Sequence, residues 1–217
     1  MTKKFKITHP FKRTVLLSIG MIIMAIGVAF SIKAELGTSS ISSVPYVTSV
    51  ISGLSVGVTT IIINCLFIIA QILILRKRYN WFQLLQLPAV VLFGVMIDVA
   101  GIMLKPIPVS NYFEQWVLCI IGILLVGFGV SLEVMANFVT TPGEGLVLAI
   151  CKVTPIKFGN MKVIFDVILV CTAIVLSLAF LHRLDGVREG TVASAIFVGL
   201  ISKLFTQPLK KLKTRFA

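Results

Sequence analysis

The chain has 217 residues, of which 58% are hydrophobic and 13% charged, and its mean hydropathy is +1.06. Too little of its surface can be polar for a water-soluble domain, so an integral membrane protein is expected. A formal net charge of +12 would suit nucleic acid, but the basic residues flank apolar segments, where anionic lipid and the insertion machinery engage them. Membrane lipid, and no nucleic acid, is the expected partner.

In chain order, residues 1–13 form a basic tail containing Lys3, Lys4, Lys6, Lys12 and Arg13. It resembles the charged head of a signal peptide, yet the apolar run behind it is too long for a cleaved segment and predicts a retained helix. Apolar stretches lie at about 14–33, 57–75, 83–104, 115–136, 160–181 and 190–206. Each approaches the roughly 20 residues that a bilayer core requires, and none alternates polar with apolar, so six helical spans are predicted and no barrel. Two shorter stretches, 40–54 and 142–154, are broken by Ser39, Ser40, Ser42, Ser43, Pro45 and Gly53 in one and by Pro142, Gly143, Gly145 and Pro155 in the other. They read either as re-entrant or broken helices or as two further full spans.

Residues 27–66 recur at 129–168. At a constant offset of 102, Gly20, Gly27, Val28, Ala34, Thr38, Gly57 and Ile62 reappear as Gly122, Gly129, Val130, Ala136, Thr140, Gly159 and Ile164, and Asn64 is answered by Asp166. Gly94 matches Gly199 at a shift of 105, which implies an insertion near Arg183 to Glu189. The glycines and the threonine carry this signal, because apolar identities arise by chance between any two membrane helices. The expected organisation is an all-α polytopic protein of two inverted repeats of three spans. Repeat one covers 14–104 with the short segment 40–54, and an external loop covers 105–114. Repeat two covers 115–206 with the short segment 142–154, and a basic tail covers 207–217.

Charge placement favours six spans. Lys3, Lys4, Lys6, Lys12 and Arg13, then Arg76, Lys77 and Arg78, then Lys152 and Lys157, then Lys203, Lys210, Lys211, Lys213 and Arg215 fall on one face if the short segments turn back. That bias satisfies the positive-inside rule with both termini cytoplasmic.

Paired Gly/Pro-broken segments in two repeats point to a site where the units meet. Thr38, Ser39, Ser42, Thr140 and Thr141 supply hydroxyls there, either to orient a ligand or to satisfy backbone freed by the breaks. Gly143 and Glu144 stand at the start of a short helix, where N–H groups and the dipole face a ligand, although Glu144 also reads as a helix cap. Asp166 follows Lys162 at i,i+4 spacing and is either a ligand group or half of an intrahelical ion pair. Asn64 is its counterpart. Asp98 and Glu133 are carboxylates in apolar runs, costly unless paired, protonated or wet, and are read with Lys162 as coupling groups. Arg188 and Glu189 read as an outer gate or a solvated pair.

Enzyme chemistry is not expected. His9 and His182 lack a neighbouring serine or cysteine, and no P-loop, HExxH or Gly-rich dinucleotide phrase occurs,. Cys65, Cys119, Cys151 and Cys171 sit in apolar stretches without CxxC spacing and read as small hydrophobes,. No metal and no cofactor is expected.

The phrases LGTSSISSVPYVTS (36–49), TTPGEGLVLAI (140–150), FGNMKVIFDVILV (158–170) and GVREGTVASAIFVG (186–199) resemble the bacterial YczE/YyaS/YitT-like membrane protein family. The first phrase departs from the family pattern LGT-x-P, since Ser40 stands where that proline would be. The resemblance implies a small multispanning inner-membrane protein, a transporter without an assigned substrate. The expected function is a secondary carrier of a small polar or ionic solute, working by alternating access and suited to proton coupling. Its alternatives are a non-transporting scaffold or accessory subunit and a flippase for a lipid-linked substrate.

Overall fold

The computed structural model describes residues 10–215, with side chains over 11–206. Lys3, Lys4, Lys6 and His9, and the side chains of Lys210, Lys211, Lys213 and Arg215, lie outside the described set. Eight α-helices follow one another: α1 Pro10–Lys33, α2 Ser40–Ser52, α3 Val56–Leu75, α4 Gln86–Leu104, α5 Tyr112–Ala136, α6 Pro142–Val153, α7 Phe158–Leu176 and α8 Glu189–Arg215. Two 3-10 turns, Arg76–Arg78 and Trp81–Leu85, join α3 to α4, and a π turn, Ser177–Leu181, prolongs α7. No strand occurs among the described residues.

Six of these helices, with their adjoining turns, are long and apolar enough to cross a membrane, at Phe11–Lys33, Val56–Arg78, Trp81–Leu104, Tyr112–Ala136, Phe158–Leu181 and Glu189–Thr206. They coincide with the six expected segments. The other two have 13 and 12 residues, so at 1.5 Å per residue each reaches about 20 Å and falls short of a bilayer core of about 30 Å. Local chemistry sets their limits. Gly53 closes α2 at φ 73°, with its N–H on the Ser49 carbonyl, the left-handed close that glycine permits. Pro142 opens α6 at its first turn, where its missing N–H costs nothing. Thr154, held extended before Pro155, ends it,. The basic segment after 206 is a helical continuation of α8 in its backbone.

The core is built on α1 and α5, which pack closely and antiparallel because glycines line the seam. A Cβ on Gly20 would stand 3.0 Å from the Gly129 carbonyl oxygen, and one on Gly27 would stand 2.8 Å from that of Gly122. The other contacts pair off by repeat position. Helix α4 lies on α1 as α8 lies on α5, α6 on α3 as α2 on α7, and α2 on α3 as α6 on α7. Glu35 and Asn137, equivalent at the offset of 102, both take left-handed φ, 57° and 42°. One pairing lacks its counterpart. Gly57 and Gly94 bring α3 and α4 into backbone contact, whereas nothing lies within 4 Å of a Cβ on Gly159 or Gly199, on α7 and α8.

Candidate functional site

The segment after α1 builds one half of the site. From Glu35 the chain runs through Leu36 and Gly37 to the first turn of α2, pinned by two backbone bonds, one to the start of α8 and one to the α7–α8 connection. Gly190 N–H donates to the Leu36 carbonyl at 2.7 Å, and Thr38 N–H donates to the Gly186 carbonyl at 3.0 Å. Beside them lies a partly open chamber of about 440 Å³, whose walls include Ser31, Glu35, Thr38, Tyr46, Arg183, Asp185 and Arg188. Three of its charged side chains, Arg183, Asp185 and Arg188, are held by neighbours. Arg183 Nε lies 2.7 Å from Asp185 Oδ2, Arg188 Nη1 donates to the Glu35 carbonyl at 3.0 Å, and Arg188 Nε lies 3.4 Å from Glu189 Oε2. Hydroxyls and charges of both signs suit a polar solute and leave little for an apolar one.

The segment after α5 builds the other half, and here the space is nearly gone. A void of about 10 Å³ lies among Leu17, Met21, Gln86, Glu133, Val139, Thr140 and Thr141, room for about one water. Glu133, 5% exposed, accepts the Thr141 N–H at 2.8 Å through Oε1. Its backbone donor is freed by the break before α6, so the carboxylate fills a bond the helix cannot make. Behind it Gln71 Nε2 donates to the Pro142 carbonyl at 2.9 Å and to Gln86 Oε1 at 3.4 Å. Thr140 Oγ1 and Tyr79 Oη are buried without a hydrogen-bond partner among the described residues. Burial also pushes the Tyr79 phenol above its ordinary pKa.

The two halves correspond. Ser31, Gly37 and Thr38 of the open chamber sit 102 positions before Glu133, Val139 and Thr140 of the closed one. Between them the first turns of α2 and α6 touch, with the Ile41 side chain seated on Gly143, again an equivalent pair. A side chain at 143 would displace it.

Of the expected residues, Thr38 and Arg188 line the open chamber, and Glu133, Thr140 and Thr141 the closed void. Gly143 lies at the meeting point, Glu189 pairs with Arg188, and Ser39 Oγ donates to Ser42 Oγ at 3.1 Å inside the first turn of α2. Glu144, on the first turn of α6, is within electrostatic reach of Glu133, Lys162 and Asp166. Lys162 Nζ and Asp166 Oδ1 form an ion pair at 2.6 Å. Asn64 bonds within its own helix to the Thr60 carbonyl at 2.8 Å. Asp98 caps α3, accepting from Ser55 Oγ at 2.6 Å and from the Gly57 N–H at 2.8 Å. Neither Asn64 nor Asp98 borders a chamber.

Sequence reasoning passed over Ser31, Glu35, Tyr46, Arg183 and Asp185 in the open chamber and Gln71 and Gln86 behind the closed one. The signal for the glutamines was present, since both interrupt apolar runs, but an uncharged amide marks a site less sharply than a carboxylate does. Ser31 was legible through the repeat, as the counterpart of Glu133.

The chain is 29% identical over 133 residues to the uncharacterized protein YyaS of Bacillus subtilis (strain 168), covering 61% of this chain and 65% of that relative. It is 32% identical over 136 residues to the uncharacterized membrane protein YczE of the same organism, covering 62% and 61%. Both matches span less than two thirds of the relative's length. An uncharacterized protein of Haemophilus influenzae is 24% identical over 211 residues, covering 94% of this chain and 88% of that one. No solved structure matches the chain. The model of a family of unknown function, DUF6198, matches residues 11–207, nearly all of the apolar helices and both chambers, and the chain belongs to that family.

Proposed function

We propose that the protein is a secondary carrier that moves a small polar or ionic solute across the bacterial inner membrane by alternating access. In this reading the halves are inverted repeats, α2 and α6 are re-entrant, and both termini are cytoplasmic. The observation that carries it is the unequal pair of chambers at equivalent positions, about 440 Å³ at Thr38 and about 10 Å³ at Thr140. A carrier made of two alike halves holds one half open while the other is shut. The antiparallel contact of α1 with α5, its counterpart, supports inversion, and the shortness of α2 and α6 supports re-entry. Glu133 and Glu144 supply acids that a proton can neutralise, as proton coupling requires.

The test is flux through proteoliposomes loaded on a solid-supported membrane and challenged with pools of amino acids, organic acids and amines. Solute-dependent charge movement or labelled uptake is expected from at least one pool, with Thr38→Leu reducing it at least tenfold. Absence of flux from every pool, with the protein folded, would sink the carrier reading.

One observation favours a second reading. Helices α7 and α8 make no close packing contact, and a Cβ on Gly159 or Gly199 meets nothing within 4 Å, which leaves room for the lateral entry that a lipid-linked substrate needs. Scrambling of a fluorescent phospholipid in the same vesicles distinguishes the two.

A further inference from the structure

The closed half carries a feature that the open half lacks. Gln71 and Gln86 are 0% and 1% exposed and face each other from α3 and α4, with Gln71 also bonded to the Pro142 carbonyl at the head of α6. Their glutamine amides thus tie three helices together behind the void at Glu133. Gly145 makes the tie possible, because a Cβ there would stand 2.8 Å from Gln71 Oε1. At the equivalent places the open half has Ala173 for Gln71 and, with the shift of 105, Thr191 for Gln86. Ala173 is fully buried among apolar neighbours and Thr191 bonds within its own connection, to Gly186 and Arg188. No side-chain tie joins α7, α8 and α2 there among the described residues.

A second observation points the same way. Thr140 Oγ1, at the void, and Tyr79 Oη, in the α3–α4 connection, are the buried side-chain oxygens without a partner among the described residues. Buried hydroxyls are normally bonded, so a Thr140 hydroxyl left without a bond in the shut half marks a place where water or solute belongs when that half is wet.

We propose that Glu133, Thr140, Thr141 and Gln86 line a second solute chamber, which the Gln71–Gln86–Pro142 tie locks shut, and which opens toward the 76–85 connection when the tie breaks. This rests on the carrier reading for its purpose but not for its test. The residues fix the ligand class. Glu133 accepts when ionised, and the threonine hydroxyls and the Gln86 amide both donate and accept, so the lining suits a polar solute that carries at least one hydrogen-bond donor, such as an amine or a hydroxyl.

Opening is read by thiol chemistry. On a background with Cys65, Cys119, Cys151 and Cys171 replaced, Thr140→Cys and Thr38→Cys are labelled separately with a membrane-impermeant cationic methanethiosulfonate. The reagent is applied from the side of the 76–85 connection and from the opposite side. Without further change, Thr38→Cys reacts from the side opposite the 76–85 connection, and Thr140→Cys reacts slowly from either. Gln86→Ala is expected to speed Thr140→Cys at least tenfold from the 76–85 side and to slow Thr38→Cys from the other. The double change Gln71→Leu with Gln86→Leu keeps the volume while removing both amides, a swap that stability tolerates better than an orphaned partner. It should give the same exchange even where Gln86→Ala fails to fold. If the double variant leaves both rates unchanged, apolar packing and not the amides holds the half shut. If both rates rise together, the structure has loosened without exchanging. Either result overturns the proposal. Flux and labelling fail independently: exchange of labelling without flux sinks the carrier, and flux without exchange sinks the lock.

Discussion

At the residue scale, buried polar groups are explained by the bonds that a broken helix leaves unmade. Glu133 holds the Thr141 N–H at a buried position, and its amide analogue keeps an acceptor at the same place. Glu133→Gln is therefore expected to leave the melting temperature in detergent unchanged or higher, whereas Glu133→Leu strands that N–H and costs about 1–3 kcal/mol. Equal losses in the two variants would mean that the negative charge itself holds the segment. The sequence left Asp166 open between ligand and ion pair, and the structure pairs it with Lys162 at side-chain exposures of 28% and 29%. Both residues lie in the span Phe158–Leu181, so Asp166→Asn leaves the Lys162 ammonium without its partner among apolar surroundings. It is expected to cost about 1–3 kcal/mol, and Lys162→Met added to it should restore most of the loss. A loss that the second change does not restore would show that Asp166 is held by more than this pair.

At the element scale, the glycines sort into two classes by what lies over them. Gly27 lets α1 meet α5 so closely that a Cβ would stand 2.8 Å from the Gly122 carbonyl oxygen and from Val126 Cγ2. Backbone cannot yield as a flexible side chain does, so Gly27→Ala is expected to cost about 1–3 kcal/mol. Gly159 and Gly199 lie in helices with open space around them, and alanine there should raise stability by up to about 1 kcal/mol through helix propensity. Thermal melting of the three variants in one detergent checks the contrast. Destabilisation by Gly199→Ala would mean that α7 and α8 close on each other in the resting protein. The sequence showed all these glycines in the repeat, but spacing does not tell which of two equivalent seams is packed.

At the scale of the whole molecule, the basic residues and the six candidate spans together predict a topology,. Both termini and the 76–80 connection are expected on the cytoplasmic side, with 105–114 and 183–188 outside. Single cysteines at 78, 110 and 185 on a cysteine-free background, labelled from each side of the membrane, check it. Labelling of residue 78 from outside would require α2 to cross as well, for which its 13 residues are too short,, and would overturn this topology.

The sequence alone determined that this is a helical membrane protein, and it marked six stretches long enough to span and two shorter ones interrupted by Gly, Pro and Ser. Length, apolar continuity and Gly/Pro interruption are local properties, and hydrocarbon enforces them on every stretch of chain. It also marked the turns at Thr38 and Thr140, because a repeat in register is visible without coordinates. Only the tertiary structure decided how equivalent residues differ. Thr38 borders about 440 Å³ and Thr140 about 10 Å³, since the volume beside a side chain depends on how distant helices pack against it. Gln71 and Gln86 became a pair for the same reason: they are 15 positions apart on two helices, and the turn at 76–85 brings them face to face.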